Sequence, residues 1–261
     1  MSYNELLLGM DWNKEYLYHY TSFESAIKII ASKFLLFSDF RKVNDINESC
    51  GPNVLYTGFE KYEIEEMNIL LDEYKQISLS EDKSIKRGFD IPAMWGHYAC
   101  RGQDVCLVFD KKMFLSEIDT SFLYSHEITY SDLKDLNEIL YSKHLGVSFE
   151  EFIKMKKDDI FFQKTKDWEY EQEYRVIAIG NEITSINISR SLDSVILFNR
   201  EHDKFIQSPK FKALSSVGDN ITIYRYAPKP YYSGDIFDID NNGLRPETTY
   251  DFSSLFPQDI D

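Results

Sequence analysis

The residues of this 261-residue chain best suited to chemistry lie between Lys166 and Ile179, where KDWEYEQEYRVIAI sets Glu169, Glu171, Glu173 and Arg175 at every second position. Strand side chains alternate between faces, so a strand here places these four on one side and Trp168, Tyr170, Gln172 and Tyr174 on the other. Three neighbouring carboxylates repel one another. Inside a cleft an arginine or a ligand must offset that repulsion, whereas on a solvated edge strand it discourages aggregation. Clustered carboxylates suit the holding of divalent metals for phosphodiester cleavage. That chemistry would recruit Asp45 and Glu48 beside Glu171 and Glu173, but no carboxylate is followed at short spacing by a convincing catalytic lysine.

The elements that must position these groups can be read along the chain. Leu17 to Tyr20 reads as a strand running into a helix, with Thr21 and Glu24 spaced as a capping box and Phe23, Ala26, Ile27 and Ile30 at helical spacing up to Lys33. A strand at Phe34 to Ser38 follows, then a polar loop with Asn44, Asp45 and Glu48. Phe59 to Tyr74 reads as an amphipathic helix with Tyr62, Ile64, Met67, Leu70 and Leu71 inward. Ile77 to Ser80 is short and extended, Pro92 to Ala99 a loop or helical turn, and Gly102 and Gln103 turn into a strand at Val105 to Phe109. Phe122 to Tyr130 reads as a strand, and Asp132 to Tyr141 and Phe149 to Phe162 as helices, the second capped by Ser148 and Glu151. Strands then dominate at Tyr174 to Ile179, Ser185 to Ile188, Ser194 to Phe198 and Ile221 to Tyr226, with a turn at Gly180 and Asn181 and a helix at Arg200 to Lys212. Residues 1–230 read as a single catalytic-like domain and 231–261 as an irregular acidic tail.

Composition narrows the possible partners. With 44 acidic against 29 basic residues the net charge is -15, which repels polyanions and excludes a broad basic nucleic-acid surface. Lys154, Lys156, Lys157, Lys164 and Lys166 read as a solvated helix face, with a local basic patch as the alternative. Three cysteines make no disulfide framework, and the opening MSYNELLLGMDWNKEY shows no leader pattern, so the expected location is the cytoplasm, away from membranes. His97, Cys100 and Cys106 lack a second ligand pair at zinc spacing, so no metal is expected and Cys106 reads as a buried residue of VCLVFD.

LYHYTS, VNDINE, SLSED with PAMWGHYACRGQDVCLVFD, and DWEYEQEYRVIAI stand in that order between residues 16 and 230. Together they resemble a bacterial and phage domain family of unknown function with His-Tyr-Thr, Asn-Asp-x-x-Glu, Met-Trp-x-x-Tyr and Trp-x-x-Glu-x-Glu-Tyr-Arg motifs, a family linked to abortive infection. A more remote resemblance is to ADP-ribosyltransferases, notably DNA-modifying toxins and tRNA 2'-phosphotransferases. Those proteins open with a His-x-Thr strand, pass through a helix to a second short strand, and carry a catalytic Glu on a late strand. Here His19-Tyr20-Thr21, the helix to Lys33, Phe34 to Ser38 and the pair Glu171 and Glu173 fall in that order, with Ser78-Leu79-Ser80 in the place of a Ser-Thr-Ser element.

This resemblance implies an α+β fold with an ADP-ribosyltransferase-like split mixed or antiparallel sheet flanked by helices, and NAD as the substrate. Glu173 would stabilise the ribosyl cation and Glu171 would orient the acceptor or substitute for Glu173. His19 with Tyr20 and Thr21 would hold the adenosine ribose, Tyr98 or Trp95 would stack on nicotinamide, and Arg41 or Arg175 would meet a pyrophosphate. The acceptor would be a nucleic acid or protein, and an antitoxin or phage trigger would control a toxin-like effector of phage defence. Two other readings stay open: a non-enzymatic module binding a nucleotide or phage protein, and the metal-dependent nuclease.

Overall fold

The computed structural model describes residues 11, 13–39, 54–83, 87–99, 105–133, 136, 139–178, 183–198, 209–217, 221–226, 237–238 and 245–246. Arg41, Asn44, Asp45, Glu48, Cys100, Gly102, Gln103, Gly180 and Asn181 lie outside them.

The first third of the chain holds β1 (Tyr16–Thr21), α1 (Phe23–Ser32), β2 (Phe34–Leu36), β3 (Ser38–Asp39), β4 (Val54–Thr57), α2 (Lys61–Asp72) and β5 (Lys75–Glu81). Then come α3 (Pro92–Tyr98), β6 (Val105–Asp110), α4 (Lys111–Ser116), β7 (Leu123–Glu127), β8 (Thr129–Ser131) and β9 (Ile139–Ser142). The remainder is α5 (Phe149–Phe161), β10 (Gln163–Thr165), β11 (Glu173–Ala178), β12 (Ser185–Asn187), β13 (Leu192–Phe198), α6 (Pro209–Val217), β14 (Thr222–Tyr226) and the short pair β15 (Phe237–Asp238) and β16 (Arg245–Pro246). The protein is therefore α+β, with strand pairs of mixed orientation and helices flanking them.

The described residues form two compact units. The first takes Met1–Lys33, Phe89–Met113 and Ser189–Asp261. Its sheet runs β14-β13-β6-β1, with β13 and β14 parallel and the other neighbours antiparallel. Every residue of VCLVF in β6 is buried, because a central strand covered on both faces reads as a continuous apolar run. Thr21 stays in the β1 ladder opposite Val105, so helix α1 is capped one residue later than the Thr21–Glu24 spacing predicts. Ser22 Oγ accepts from the Ser25 N–H at 3.1 Å, and Lys33 closes the helix in the left-handed region.

The second unit takes Phe34–Gly88 and Phe114–Ile188. Strands β3, β5, β11 and β7 pair antiparallel. The expected strand Phe34 to Ser38 is two pieces: β2 pairs with β12, β3 pairs with β5, and the Phe37 N–H between them donates to Thr184 O. Phe122 to Tyr130 is likewise split at Ile128, whose N–H turns to Glu173 O. The expected helix at Asp132 to Tyr141 is corrected at its end, where β9 pairs parallel with β4 and alternates Ile139 and Tyr141 into the core. That core, under α2 and α5, joins Met67, Leu71, Tyr74, Phe152, Ile153 and Phe161. Tyr62, expected inward on α2, is 62% exposed. Its helix starts at Lys61, with Glu63 reaching back to the Glu60 N–H at 2.8 Å. The capping box at Ser148 and Glu151 stands as read.

Candidate functional site: a buried carboxylate cluster

The run that opened the sequence reading is not one strand. Lys166–Glu171 is a 3-10 turn, Gln172 takes φ 49° in the left-handed region, and only from Glu173 does the chain enter β11. The turn closes by a bond from the Gln172 N–H to Glu169 O at 3.2 Å, while Gln172 O accepts from the Glu81 N–H at 2.9 Å. Glu169 is thereby removed from the set and remains exposed. Glu171 and Glu173 are still brought together, by a different device than strand alternation.

That device is Lys164 on β10. Its ammonium donates to Glu171 Oε2 at 2.6 Å and to Glu173 Oε2 at 3.1 Å, and lies 5.0 Å from the centroid of the Trp168 ring. Arg175 completes the group: Nε donates to Glu173 Oε1 at 2.7 Å, Nη2 to Glu173 Oε2 at 3.0 Å, and Nη1 to Phe161 O at 2.7 Å. Lys164 (6% exposed), Glu171 (3%), Glu173 (2%) and Arg175 (1%) make a buried row of two anions and two cations, whose charges cancel. Lys164 is therefore not on a solvated helix face. The guanidinium of Arg175 serves Glu173 and the end of α5 rather than presenting itself to a phosphate.

Burial pushes the Glu173 carboxyl up, but Arg175 and Lys164, with hydrogen bonds from Arg175 and Ser78, outweigh it and hold the group at about 2. Glu173 is a carboxylate at neutral pH. Its backbone N–H donates to Tyr130 Oη at 2.9 Å, and burial pushes the Tyr130 phenol up, so Tyr130 stays neutral. In the β5–β11 register Ser80 stands directly opposite Glu173 and Ser78 opposite Arg175, which puts the two serines on the face of the ion row. Ser80 is buried, and among the described residues its Oγ lacks a hydrogen-bond partner. Lys164 and Tyr130 were not legible as site residues. Their only signal is Lys164 standing seven and nine residues before the two glutamates.

Of the other sequence-predicted residues, His19, Tyr20, Thr21, Trp95 and Tyr98 belong to the first unit, and Arg41, Asp45 and Glu48 lie outside the described residues. His19 is half-buried in the middle of β1, opposite Leu107, with Tyr20 and Thr21 completing the strand. Tyr20 is buried with its ring edge-on to Trp95 at 5.1 Å, and burial pushes its phenol up. Trp95 is 2% exposed. Tyr226 stacks on it at 5.3 Å and 15°, Phe198 lies 5.7 Å away, and its indole N–H donates to Phe89 O at 2.7 Å. Trp95 thus has its stacking face covered by Tyr226 and is a core residue. Tyr98, one turn later at the end of α3, is half-buried, with the His97 ring 6.3 Å from its own. Among the described residues no group of three His, Cys, Asp or Glu side chains is placed to hold a metal. Between Glu171 and Glu173 the position a cation would take is filled by Lys164 Nζ.

Residues 94–176 match the model of a family of proteins of unknown function, DUF2971. The matched stretch contains Trp95, Tyr98, Lys164, Glu171, Glu173 and Arg175, while His19, Ser78 and Ser80 fall outside it. A search of the curated proteins and one of the solved structures find no match to the chain.

Proposed function

We propose that the protein is an NAD-dependent ADP-ribosyltransferase-like enzyme, a toxin-like effector of phage defence in the cytoplasm. It cleaves the nicotinamide–ribose bond and modifies a nucleic acid or protein. The observation that carries this reading is the pairing of Ser78-Leu79-Ser80 with Glu173-Tyr174-Arg175, which sets a buried, ionised carboxylate opposite a serine hydroxyl on one sheet face. The order of β1 with His19-Tyr20-Thr21, helix α1 and strand β2 agrees with the same reading.

In this mechanism the bond between ribose C1' and the nicotinamide nitrogen breaks, its electron pair returns to the ring, and neutral nicotinamide leaves. The sugar is left cationic, and Glu173 stabilises it by charge without accepting a proton. The acceptor's nucleophile bonds to C1' and gives its proton to Glu171. His19, Tyr20, Thr21 and Tyr98 take the recognition roles, and Arg41 meets the pyrophosphate.

The test is incubation with NAD, with and without cell lysate, following nicotinamide release and transfer of labelled ADP-ribose. Release by the wild type, lost about 100-fold or more in folded Glu173→Gln and Glu171→Gln, is the expected result. One observation favours a second reading, a module that binds a nucleotide or phage protein without chemistry: both Glu173 oxygens already accept from Arg175 or Lys164. Saturable binding of intact NAD with no release under any condition would select it.

A further inference from the structure

We propose that Lys164 is the positioning residue of the carboxylate pair, a cation that draws Glu171 from a 3-10 turn and Glu173 from a strand to one point. The assignment deepens the reading above and rests on it for its catalytic meaning, while its geometry stands alone. Glu171 and Glu173 belong to different elements, and Gln172 between them turns out of strand geometry. One ammonium bonds an oxygen of each, at 2.6 and 3.1 Å. β10 is itself fixed by its parallel pairing with β8, which aligns Lys164 with Tyr130, the residue whose hydroxyl receives the Glu173 N–H. Trp168, from the same 3-10 turn as Glu171, lies against the ammonium.

Two carboxylates drawn together without a cation share a proton, because like charges at short range cannot both ionise. Among the described residues, the groups facing the pair include Lys164 from β10, Arg175 from β11, Tyr130 from β8, the Ser78 hydroxyl from β5 and, near Glu171, Tyr170 from the 3-10 turn. Arg175 bonds Glu173, and Lys164 is the cation that bonds both. Its removal leaves the buried row with a net negative charge, and proton uptake at a higher pH than in the wild type restores balance. A transferase working through two ionised glutamates then loses its acid-side activity first.

The experiment compares wild type, Lys164→Met, Lys164→Arg and the double variant Lys164→Met/Glu171→Gln. It reads the glutamate carboxyl titrations by 13C NMR, the unfolding midpoint, and the pH profile of nicotinamide release. Lys164→Met is expected to raise a carboxyl titration by one unit or more, since a neighbouring cation shifts a carboxyl by about 1–3 units. The acid limb of the pH profile moves up with it, and Lys164→Arg restores most of both. The double variant, which returns the row to one anion and one cation, is expected to be more stable than the sum of its single changes, even if Lys164→Met alone does not fold. Unchanged carboxyl titrations in folded Lys164→Met, or strictly additive stabilities in the cycle, overturn the assignment. A wild type silent toward NAD with these titration and stability results intact would sink the transferase reading and leave the positioning of the pair standing.

Discussion

Arg175 donates from two guanidinium nitrogens to Glu173 and from the third to Phe161 O, and so ties the start of β11 to the end of α5. Arg175→Met removes one partner of a buried pair and should destabilise by about 3–5 kcal/mol, because Glu173 is left with less compensation. Arg175→Lys keeps the charge but loses the planar fork, and is expected to fall between wild type and Met in urea unfolding. The same pair sets an acid dependence. The folded-state carboxyl of Glu173 lies at about 2, below its usual value of 4.5. The stability it contributes is therefore complete above the usual value and is lost as pH falls through the folded one. Wild-type stability should slope downward between pH 4.5 and 2, and Glu173→Gln should flatten that segment. An identical slope in Glu173→Gln would assign the acid sensitivity to other carboxylates.

At the scale of elements, two short devices set the geometry. Ser148 Oγ accepts from the Glu151 N–H at 3.2 Å while Glu151 reaches back to the Ser148 N–H at 3.0 Å, so Ser148→Ala should cost about 1 kcal/mol in a thermal or urea melt. Gln172 is the hinge between the 3-10 turn and β11. Left-handed backbone costs a non-glycine residue roughly 1–2 kcal/mol, so Gln172→Gly should be neutral or stabilising and Gln172→Val clearly destabilising. The Ser148 box was legible because its partners are three residues apart. The Gln172 hinge was not, since the alternating charges of DWEYEQEYR mimic a strand and the bond that helps hold the turn comes from Glu81, ninety-one residues upstream by the numbering. Ile139 and Tyr141 carried the right period for β9, but two alternations are outweighed by the helix formers around them. Glu171 and Glu173 were picked out from the sequence as a pair, whereas their cation was hidden in a lysine-rich run from α5 to the 3-10 turn, in which Lys154, Lys156 and Lys166 are exposed and Lys157 is half-buried.

For the whole molecule, if the proposed transferase reading holds, the net charge of -15 is the property most directly linked to the choice of acceptor. A field of that sign raises the barrier to encounter with a polyanion and lowers it for a basic protein. The two classes of acceptor therefore give opposite salt responses. If the acceptor is a basic protein, transfer at subsaturating acceptor should fall as ionic strength rises, because the Debye length shrinks to about 10 Å at 0.1 M and the attraction is screened. If it is a nucleic acid bound without a basic groove, transfer should rise modestly over the same range as repulsion is screened. A nucleic acid seated on lysines or arginines would instead lose affinity steeply, with a log-log slope near -0.9 per phosphate contact on a duplex. Transfer from labelled NAD to a basic protein, single-stranded RNA and duplex DNA, each measured from 20 to about 200 mM salt, reads the sign of the slope. From the charge of the chain the expected result is a falling rate with the protein and a rising or flat one with both nucleic acids; a steep fall with either nucleic acid would locate a basic groove that the overall composition conceals.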